Sequence, residues 1–307
     1  MKVLIIGCGQ IGIECARLLH SNGHEVSGLR RNGSKLPGWI NRLSGDVFNK
    51  DSLKLLASTS ADLVIYQVAA SGFNEEAYRA AYITGLCHSM ELLENRAIPF
   101  LFVSSTSVYH QDDGSWVDES SPVQPQSFNG QIMLQAEQLV AERAGSASIR
   151  FSGIYGPERL RLIEQVRSGA ANVSADSGAV VTNRIHSFDC AAVLAHLSQL
   201  YLQPGLQLPP LWLASDSEPA SRADVFSFIK DQLGVDSTAD ATSDKDENRR
   251  TLPAAERSTS TSAGGDKPQR RAGSKRCSNR QLIDSGYQFK YPDYRSGYRD
   301  IIANLQQ

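Results

Sequence analysis

The chain has 307 residues, a hydrophobic fraction of 41%, a charged fraction of 21% and a formal net charge of -2. These values are typical of a soluble globular protein and give no general attraction to nucleic acid or to an anionic membrane. No apolar run approaches the roughly 18 residues that a membrane-spanning helix needs, and the five cysteines are widely spaced without a CxxC pair. We therefore expect a cytoplasmic protein without a zinc site or a disulfide framework.

The first half of the chain alternates short β-branched runs with longer helical patterns. The runs predicted to be strands are KVLIIG (2–7), HEVSGLR (24–30), ADLVIYQVAA (61–70), IPFLFVSST (98–106) and ASIRFSGIY (147–155). Helical periodicity between them is clearest at 11–23 and 75–96. Because the strands are almost continuously apolar, helices should cover both faces of a parallel sheet. The predicted fold class is α/β, with a doubly wound parallel (Rossmann) sheet.

The first βα turn carries a GxGxxG motif, because IIGCGQIG (5–12) follows a predicted strand and opens a predicted helix. Gly7 would permit the tight turn, Gly9 the approach of a pyrophosphate, and Gly12 close packing of the helix on the strand. The pyrophosphate would lie on the free N–H groups of the helix N-terminus. We favour this dinucleotide site over a glycine-rich turn that binds nothing. The residues assigned to it are Gly7, Gly9, Gln10, Ile11 and Gly12.

The end of the second strand predicts which dinucleotide binds. NAD-specific sites usually place an Asp or Glu there for the ribose 2′-hydroxyl, whereas this chain has Arg30 and Arg31. An arginine suits a 2′-phosphate because its guanidinium forms paired, charge-assisted hydrogen bonds. NADP is therefore the preferred cofactor, and NAD is the alternative if both arginines are only solvated surface residues. Further residues assigned to the cofactor are Asp46, on the adenine side, and the small residues Ala69 and Ala70 along its length.

Beyond GIYGP (153–157) the alternation of strands and helices weakens. We expect a strand and then a helix within 180–202, a strand at 208–216, and a helix with a Ser cap at 221–234. Ligand-specific parts of doubly wound proteins often lie in such a C-terminal half. This half is therefore the expected location of the substrate pocket.

The chain is accordingly divided into a Rossmann domain at 1–157 and a smaller C-terminal α/β region at 158–307, which completes the sheet and forms the substrate pocket. Residues 236–273 have almost no large apolar side chains. Such a segment cannot bury enough surface to offset its ordering entropy, so we expect a disordered insertion. Regular structure should resume within 274–302.

Several motifs occur in the order and spacing of one enzyme family. They are GCGQIG, GDV, VAAS, VSSTSVY, AEQL, RFSGIYGP and RIHSFD. Together they make residues 1 to about 200 similar to an extended short-chain dehydrogenase/reductase of the NAD-dependent epimerase/dehydratase type, and the rest resembles that family weakly. The glycine spacing and GIYGP make the chain most similar to an atypical subgroup whose substrates are poorly defined. The resemblance implies a nicotinamide cofactor and chemistry at a carbonyl or hydroxyl group.

The resemblance also implies catalytic positions. Ser105 matches the Ser or Thr that binds the substrate oxygen in active family members. The family's proton-transferring tyrosine and the lysine four residues later correspond here to Asn129 and Met133. Asn does not exchange a proton at useful pH, and Met has no charge with which to lower a neighbouring pKa. The usual mechanism is therefore not expected.

Other residues could transfer the proton. Tyr109 stands close after Ser105 and is the first candidate, although packing is the more frequent role of a tyrosine in this motif. Tyr155 ends the strand predicted at 147–155, His186 comes later in the chain, and both could reach the carboxyl edge of the sheet. His186 has an ordinary pKa near neutrality. It could instead be bonded locally in a structural turn, with Asp189 capping the next helix.

Two functions are consistent with these features. The first is an NADP-dependent oxidoreductase, epimerase or dehydratase that acts on a carbonyl or hydroxyl of a small, sugar-like metabolite, with Ser105 and Tyr109 as catalytic residues. The second is a non-catalytic protein that binds NADP and signals to a partner. We favour the enzyme. Related enzymes often dimerise through helices that correspond to 75–96 and 130–143, so this chain could form a homodimer through the same helices.

Overall fold

The computed structural model describes residues 1–93, 97–169, 180–235 and 273–306. The strands in these ranges are β1 (Lys2–Ile6), β2 (Glu25–Arg30), β3 (Asn41–Ser44), β4 (Leu63–Tyr66), β5 (Phe100–Ser105), β6 (Trp116–Val117), β7 (Ala147–Phe151), β8 (Gly153–Tyr155), β9 (Val181–Thr182), β10 (Arg184–His186), β11 (Leu211–Ala214), β12 (Ala220–Ser221) and β13 (Arg276–Cys277). The helices are α1 (Gln10–Ser21), α2 (Glu75–Arg79), α3 (Gly85–Leu92), α4 (Phe128–Ala141), α5 (Arg161–Arg167), α6 (Ser187–Tyr201), α7 (Arg222–Leu233), α8 (Arg280–Asp284) and α9 (Tyr294–Leu305).

A seven-stranded sheet forms the centre of the protein, in the order β11-β7-β5-β4-β1-β2-β3. Each neighbouring pair in it is parallel. The chain runs outward in one direction from β1 to β3 and in the other from β4 to β11, so the strand order reverses between β1 and β4. This arrangement confirms the predicted α/β doubly wound sheet. In such sheets the ligand crevice lies outside the carboxyl ends of the strands at the reversal point.

Helices cover both faces of the sheet, as the apolar strands require. Val3 and Ile5 of β1 face the apolar cluster that includes α1 and α6. Leu4 and Ile6, which alternate with them, face a second cluster that includes α3 and α4. Side chains of a strand alternate between its faces, so one short strand contributes to both cores. The region predicted as one helix at 75–96 forms α2 and α3, with π-helical Ala80–Thr84 between them.

One predicted strand is divided in the structure. The run at 147–155 forms β7 in the main sheet and β8, which pairs with β10 outside it. The chain changes partner at Ser152, whose N–H donates to the carbonyl of Ala214 at 3.0 Å, while the N–H of Gly153 donates to that of Asn183 at 3.2 Å. The prediction of one continuous strand at 147–155 was therefore wrong. The strand breaks at Ser152 because the next backbone amide bonds to a different segment of the chain.

The C-terminal half forms an apolar cluster of its own. Residues of α5, α7 and α9 pack together around Tyr155, and α7 begins at Ser221, whose hydroxyl accepts from the N–H of Asp224 at 3.0 Å. This half also contributes β11 to the main sheet. The division into two parts at residue 157 stays a prediction. The insertion predicted at 236–273 lies outside the described residues except for Gly273, and no helix within the described ranges is long and apolar enough to cross a membrane.

Candidate functional site

A groove of about 500 Å³ lies at the carboxyl ends of β1, β2 and β4, where the strand order reverses. Seven of the residues assigned to the cofactor line it: Gly7, Gly9, Arg30, Arg31, Asp46, Ala69 and Ala70. The other three, Gln10, Ile11 and Gly12, form the first turn of α1 next to it. The structure thus brings together at one sheet edge residues that are up to about 60 positions apart in the sequence.

Gly7 shapes the turn from β1 into α1. Its φ is +85°, in the region that favours glycine, and an added Cβ would lie 2.8 Å from the backbone nitrogen of Val68. The N–H groups of Gly7 and Cys8 both donate to the carbonyl of Leu29, at 3.0 and 2.9 Å. A Cβ on Gly9, in contrast, would meet nothing closer than the Gly7 carbonyl at 3.8 Å. The position of Gly9 is therefore open to a ligand.

The N-terminus of α1 offers unused hydrogen-bond donors. The first intrahelical bond runs from the N–H of Ile13 to the carbonyl of Gly9 at 2.8 Å. The amides of Gln10, Ile11 and Gly12 come before it, no side chain caps the helix, and its first turn contains no acidic residue. Free amides and the positive end of the helix dipole favour a phosphate group at this position. These residues fit the pyrophosphate of a dinucleotide.

The wall of the groove that follows β2 is strongly basic. Arg30 and Arg31 line it, and neither forms an ion pair within the described residues. Lys35 is a third cation in this wall, placed by a short 3₁₀ turn that begins after Asn32. Sequence reasoning missed Lys35, although its position five residues after the strand end was a usable signal. Asp46 is the one carboxylate among the groove residues, and its Oδ1 accepts from the N–H of Phe48 at 3.1 Å.

The substrate side of the edge begins at Ser105, the last residue of β5. Its half-buried hydroxyl accepts from the N–H of Ser107 at 3.2 Å. The N-terminus of α4 packs directly on this turn, because a Cβ on Gly130 would lie only 2.5 Å from the Ser107 carbonyl. Asn129, next to that glycine, is half-buried, whereas Met133 is 3% exposed and belongs to the core. The side chain of Met133 is thus part of the packing.

Tyr109 also has a structural environment. It is 4% exposed, and its hydroxyl donates to the carbonyl of Asp118 at 2.7 Å. Burial raises the pKa of the phenol above its ordinary value, and the guanidinium of Arg150 lies 4.8 Å from the ring centre. A phenol that is engaged by a backbone carbonyl and is hard to ionise is poorly suited to proton exchange with a substrate.

A buried ion pair joins α4 to β7 next to this edge of the sheet. Arg150 of β7 donates from Nε and Nη2 to the two carboxylate oxygens of Glu137 in α4, at 2.9 and 2.6 Å. The hydroxyl of Ser104 donates to the same carboxylate at 2.5 Å. Both ionic side chains are more than 90% buried. This two-pronged pair fixes α4 against β5 and β7.

His186 and its neighbours form a third structural group. Nδ1 of His186 accepts from the N–H of Phe188 at 3.1 Å, so the histidine caps α6. Burial lowers the pKa of His186 to about 4. Asp189 does not cap that helix, contrary to the sequence prediction, because its carboxylate accepts from the hydroxyl of Tyr287 at 2.8 Å and from the N–H of Tyr291 at 3.0 Å. Asp189 instead anchors the C-terminal segment.

Tyr155 lies in the same part of the molecule. It is 4% exposed, its hydroxyl donates to the carbonyl of Asp293 at 3.4 Å, and its ring stacks on that of Tyr298 at 4.7 Å between centres. The phenol therefore has a packing role between β8 and α9.

Several buried polar atoms near the ends of β5 and β7 have no hydrogen-bond partner in the described part of the chain. They are Oγ of Ser107, Oε1 of Gln111, Nη1 of Arg150 and Oγ of Ser152. Buried polar groups in proteins almost always have a partner, which can be ordered water or a ligand. Those in the segments that follow β5 and β7 could be satisfied by a polar ligand or by ordered water.

Comparisons with known proteins agree with this arrangement. A sequence model of the NAD-dependent epimerase/dehydratase family matches residues 3–202. A solved structure from Methylobacillus flagellatus, whose name places it among NAD-dependent epimerases/dehydratases, is 34% identical, covers 100% of this chain and 99% of its own, and has a TM-score of 0.77. No match was found among curated protein sequences.

More distant structures share the fold. UDP-glucose 4-epimerase of Thermus thermophilus in complex with NAD has 17% identity, coverage of 100% and 99%, and a TM-score of 0.75. The corresponding epimerase of Thermotoga maritima with UDP-glucose has 14% identity, coverage of 100% and 99%, and a TM-score of 0.74.

Proposed function

The chain belongs to the NAD-dependent epimerase/dehydratase family, and from this premise we propose that it is an NADP-dependent oxidoreductase acting on a carbonyl or hydroxyl of a small polar metabolite. The observation that carries the proposal is the groove at the reversal point, with its free helix amides and its unpaired cations. A nicotinamide cofactor held there would supply hydride transfer, and the protein would supply position and electrostatics.

The preference for NADP follows from charge. Arg30, Arg31 and Lys35 lie together on the adenine side and have no ion-pair partner in the described ranges. A 2′-phosphate would supply the missing anion, and charge-assisted hydrogen bonds of this type are worth about 1.5–3 kcal/mol each. Asp46 is the remaining group that could accept from a ribose hydroxyl, and it supports NAD as the alternative cofactor.

The substrate class is inferred from the region beyond β5. Unpartnered buried hydroxyl and amide groups, such as those of Ser107, Gln111 and Ser152, suit a ligand with several oxygen atoms. The T. maritima relative is named as a complex with UDP-glucose. A sugar-like substrate is consistent with both observations.

Ser105 would hold the reacting oxygen. It lies at the carboxyl end of β5, its hydroxyl is half-buried, and it can donate to a substrate oxygen while accepting from Ser107. Asn129 can orient a polar group but does not exchange a proton, and buried Met133 has no polar atom. Because Tyr109 is engaged with Asp118, proton transfer falls to a different group.

A non-catalytic NADP sensor is the second candidate. Asn129 and Met133 favour it, because they remove the family's proton-transfer pair. The sensor and the enzyme share the cofactor groove and differ in whether the region beyond β5 turns a substrate over.

The experiment that separates them is NADPH consumption with a panel of small carbonyl compounds, and NADP⁺ reduction with the matching alcohols and sugars. We expect turnover with at least one hydroxylated carbonyl compound. Ser105→Ala should lower it about 100-fold, because a hydrogen bond to the developing oxyanion is lost, while NADPH binding stays unchanged. Binding of NADPH without turnover by any compound of the panel would support the sensor.

A further inference from the structure

Lys275 is one of three strongly buried cations in the described part of the chain. It is 8% exposed. No hydrogen bond or ion pair joins its amine to any other group in the described ranges. The other two strongly buried cations, Arg150 and Arg184, each donate to a neighbouring oxygen. A buried lysine without a counter-ion is costly for stability, which suggests a functional reason for its position.

The amine lies beside the segment that leaves β5. A Cβ added to Gly273 would be 2.9 Å from the carbonyl oxygen of Gln111 and 3.6 Å from Nζ of Lys275. Both groups therefore flank one glycine. Gln111 follows Ser105 by six residues, and its own side-chain oxygen is one of the buried atoms without a partner.

Asn183 fixes the backbone around Lys275 from the other side. Its amide donates to the carbonyl of Lys275 and its oxygen accepts from the N–H of Cys277, both at 2.8 Å. The carbonyl of Asn183 in turn accepts from Gly153, just after β7, at 3.2 Å. Lys275 is thus held between the chain segments that leave β5 and β7.

These two strands are neighbours in the sheet, and Ser105 is level with Phe151 in their register. Ligands of doubly wound sheets lie outside the carboxyl ends of the strands. The backbone of Lys275 therefore lies beside the segments that leave the edge presenting Ser105, and from this we infer that its amine serves the substrate side of the site. The hydroxyls of Tyr109 and Tyr155 are bonded to backbone carbonyls, so neither competes for this role.

We propose that Lys275 exchanges the proton with the reacting oxygen of the substrate, the step for which the family's tyrosine is absent here. This inference rests on the proposed function. In the reductive direction, the ammonium of Lys275 donates a proton to the carbonyl oxygen as the carbonyl carbon accepts a hydride from the nicotinamide. The C=O π pair becomes the new O–H bond, the broken N–H bond leaves its pair on a neutral amine, and water returns the proton. In the oxidative direction, the neutral amine takes the proton.

The environment of the amine suits this exchange. Burial lowers the pKa of Lys275 below that of an ordinary lysine, because the charged form is poorly solvated. A larger share of neutral amine is then present near neutral pH, and an acid or base is most efficient when its pKa is close to the working pH.

The first test is independent of any substrate. Competitive labelling with trace acetic anhydride across a pH series, read by mass spectrometry, gives the reactivity and the pKa of each lysine. Lys275 should be acetylated and should titrate below Lys54, an exposed lysine whose pKa is raised by its pairing with Asp51. An unreactive Lys275, or one that titrates with the exposed lysines, would overturn the proposal even if NADPH binds normally.

The second test uses two substitutions of Lys275 in the NADPH-consumption assay. Lys275→Met should lower turnover about 10²- to 10⁴-fold without changing the affinity for NADPH. Lys275→Arg keeps the charge but cannot release a proton near neutral pH, so it should be as inactive as the methionine variant. Lys54→Met is the control and should behave as wild type.

The outcomes are distinct. An active Lys275→Arg would show that Lys275 only binds an anionic group, and an active Lys275→Met would show that it only packs; either contradicts proton exchange. If the wild type consumes no NADPH with any compound of the panel, the labelling experiment alone decides whether Lys275 has the reactivity and the lowered pKa that proton exchange requires. Failure of NADPH to bind at all would instead contradict the proposed function, and it would be seen separately as the absence of a binding curve in the NADPH titration.

Discussion

The nucleotide groove and the region around β5 lie at the same edge of the sheet, but they differ in whether their charged side chains are paired. In the groove, Arg30, Arg31 and Lys35 face a shared space without an ion-pair partner in the described residues. Beside β5, Arg150 of β7 and Glu137 of α4 form an ion pair at 2.6 Å inside the protein. Unpaired cations on an open wall suit an anionic ligand, whereas a buried pair fixes the geometry of its helix and strand.

Lys275 resembles the groove cations in lacking an ion-pair partner within the ranges that the structure describes, and it resembles Arg150 in being buried. This combination is why we assign it to chemistry and not to support. The role of a charged side chain therefore depends on both its partner and its exposure.

The largest effect is expected at the buried pair. Arg150→Met leaves the carboxylate of Glu137 without its ion-pair partner in an environment that is more than 90% buried. Breaking one side of a buried pair typically costs about 3–5 kcal/mol of unfolding free energy. Urea unfolding followed by circular dichroism would measure it.

The double variant Arg150→Met/Glu137→Leu is the matched control. Replacing both partners by apolar side chains removes the unpaired charge, so most of the lost stability should return. If the single and double variants unfold at the same urea concentration, the pair does not have the supporting role assigned to it.

A contrast between two glycines tests the groove. Gly7→Ala forces a side chain into a backbone with φ +85° and against Val68 at 2.8 Å, and a strained backbone of this kind costs about 1–3 kcal/mol. The Cβ of Gly9→Val would meet only the Gly7 carbonyl, at 3.8 Å, so we expect this variant to fold. Its side chain would occupy the space expected for the pyrophosphate and should weaken NADPH binding at least about 100-fold, or about 2.7 kcal/mol. Equal NADPH affinity in Gly9→Val and wild type would place the nucleotide elsewhere.

A smaller, pH-dependent effect is expected at Asp216 in the C-terminal half. Burial raises the pKa of this carboxyl to about 8, although nearby Arg184 opposes the shift. The unfolded chain releases the proton near pH 3.9 and the folded chain keeps it to a higher pH, so stability falls as pH rises through this window, by about 1.4 kcal/mol per pH unit.

Asp216→Asn removes this titration and can keep the bond from the N–H of Glu218, which is 3.3 Å long. Its unfolding free energy should therefore decline less than that of wild type between about pH 6.5 and 7.5. His186, whose lowered pKa gives an opposite slope around and below about pH 6.5, is present in both proteins, so its contribution cancels in the comparison. Parallel pH profiles of the two proteins would show that Asp216 is ionised in the folded state.

The two regions also differed in how far the sequence could predict them. The groove depends on a short motif with fixed turn chemistry and on residues that directly follow strands, so Gly7, Gly9, Arg30 and Arg31 could be placed together in advance. The surroundings of Lys275 depend on contacts such as the one with Asn183, across 92 positions in the sequence. No local pattern encodes such a contact.

Contacts between distant segments also account for two wrong predictions. The break of the strand at Ser152 and the role of Asp189 both depend on hydrogen bonds to segments far along the chain, including the N–H of Tyr291. Ser221 could be predicted as a helix cap because its partner, the N–H of Asp224, is three residues away.

The central claim is that the unpaired cations of the groove select NADP. The most direct measurement is a fluorescence titration of wild type and of the double variant Arg30→Ala/Arg31→Ala with NADPH and, separately, with NADH. We expect NADPH to bind wild type in the micromolar range, about 10- to 100-fold more tightly than NADH. The double variant should lose that advantage while its affinity for NADH stays the same. Failure of both nucleotides to bind at millimolar concentration, or an unchanged preference in the variant, would contradict the account.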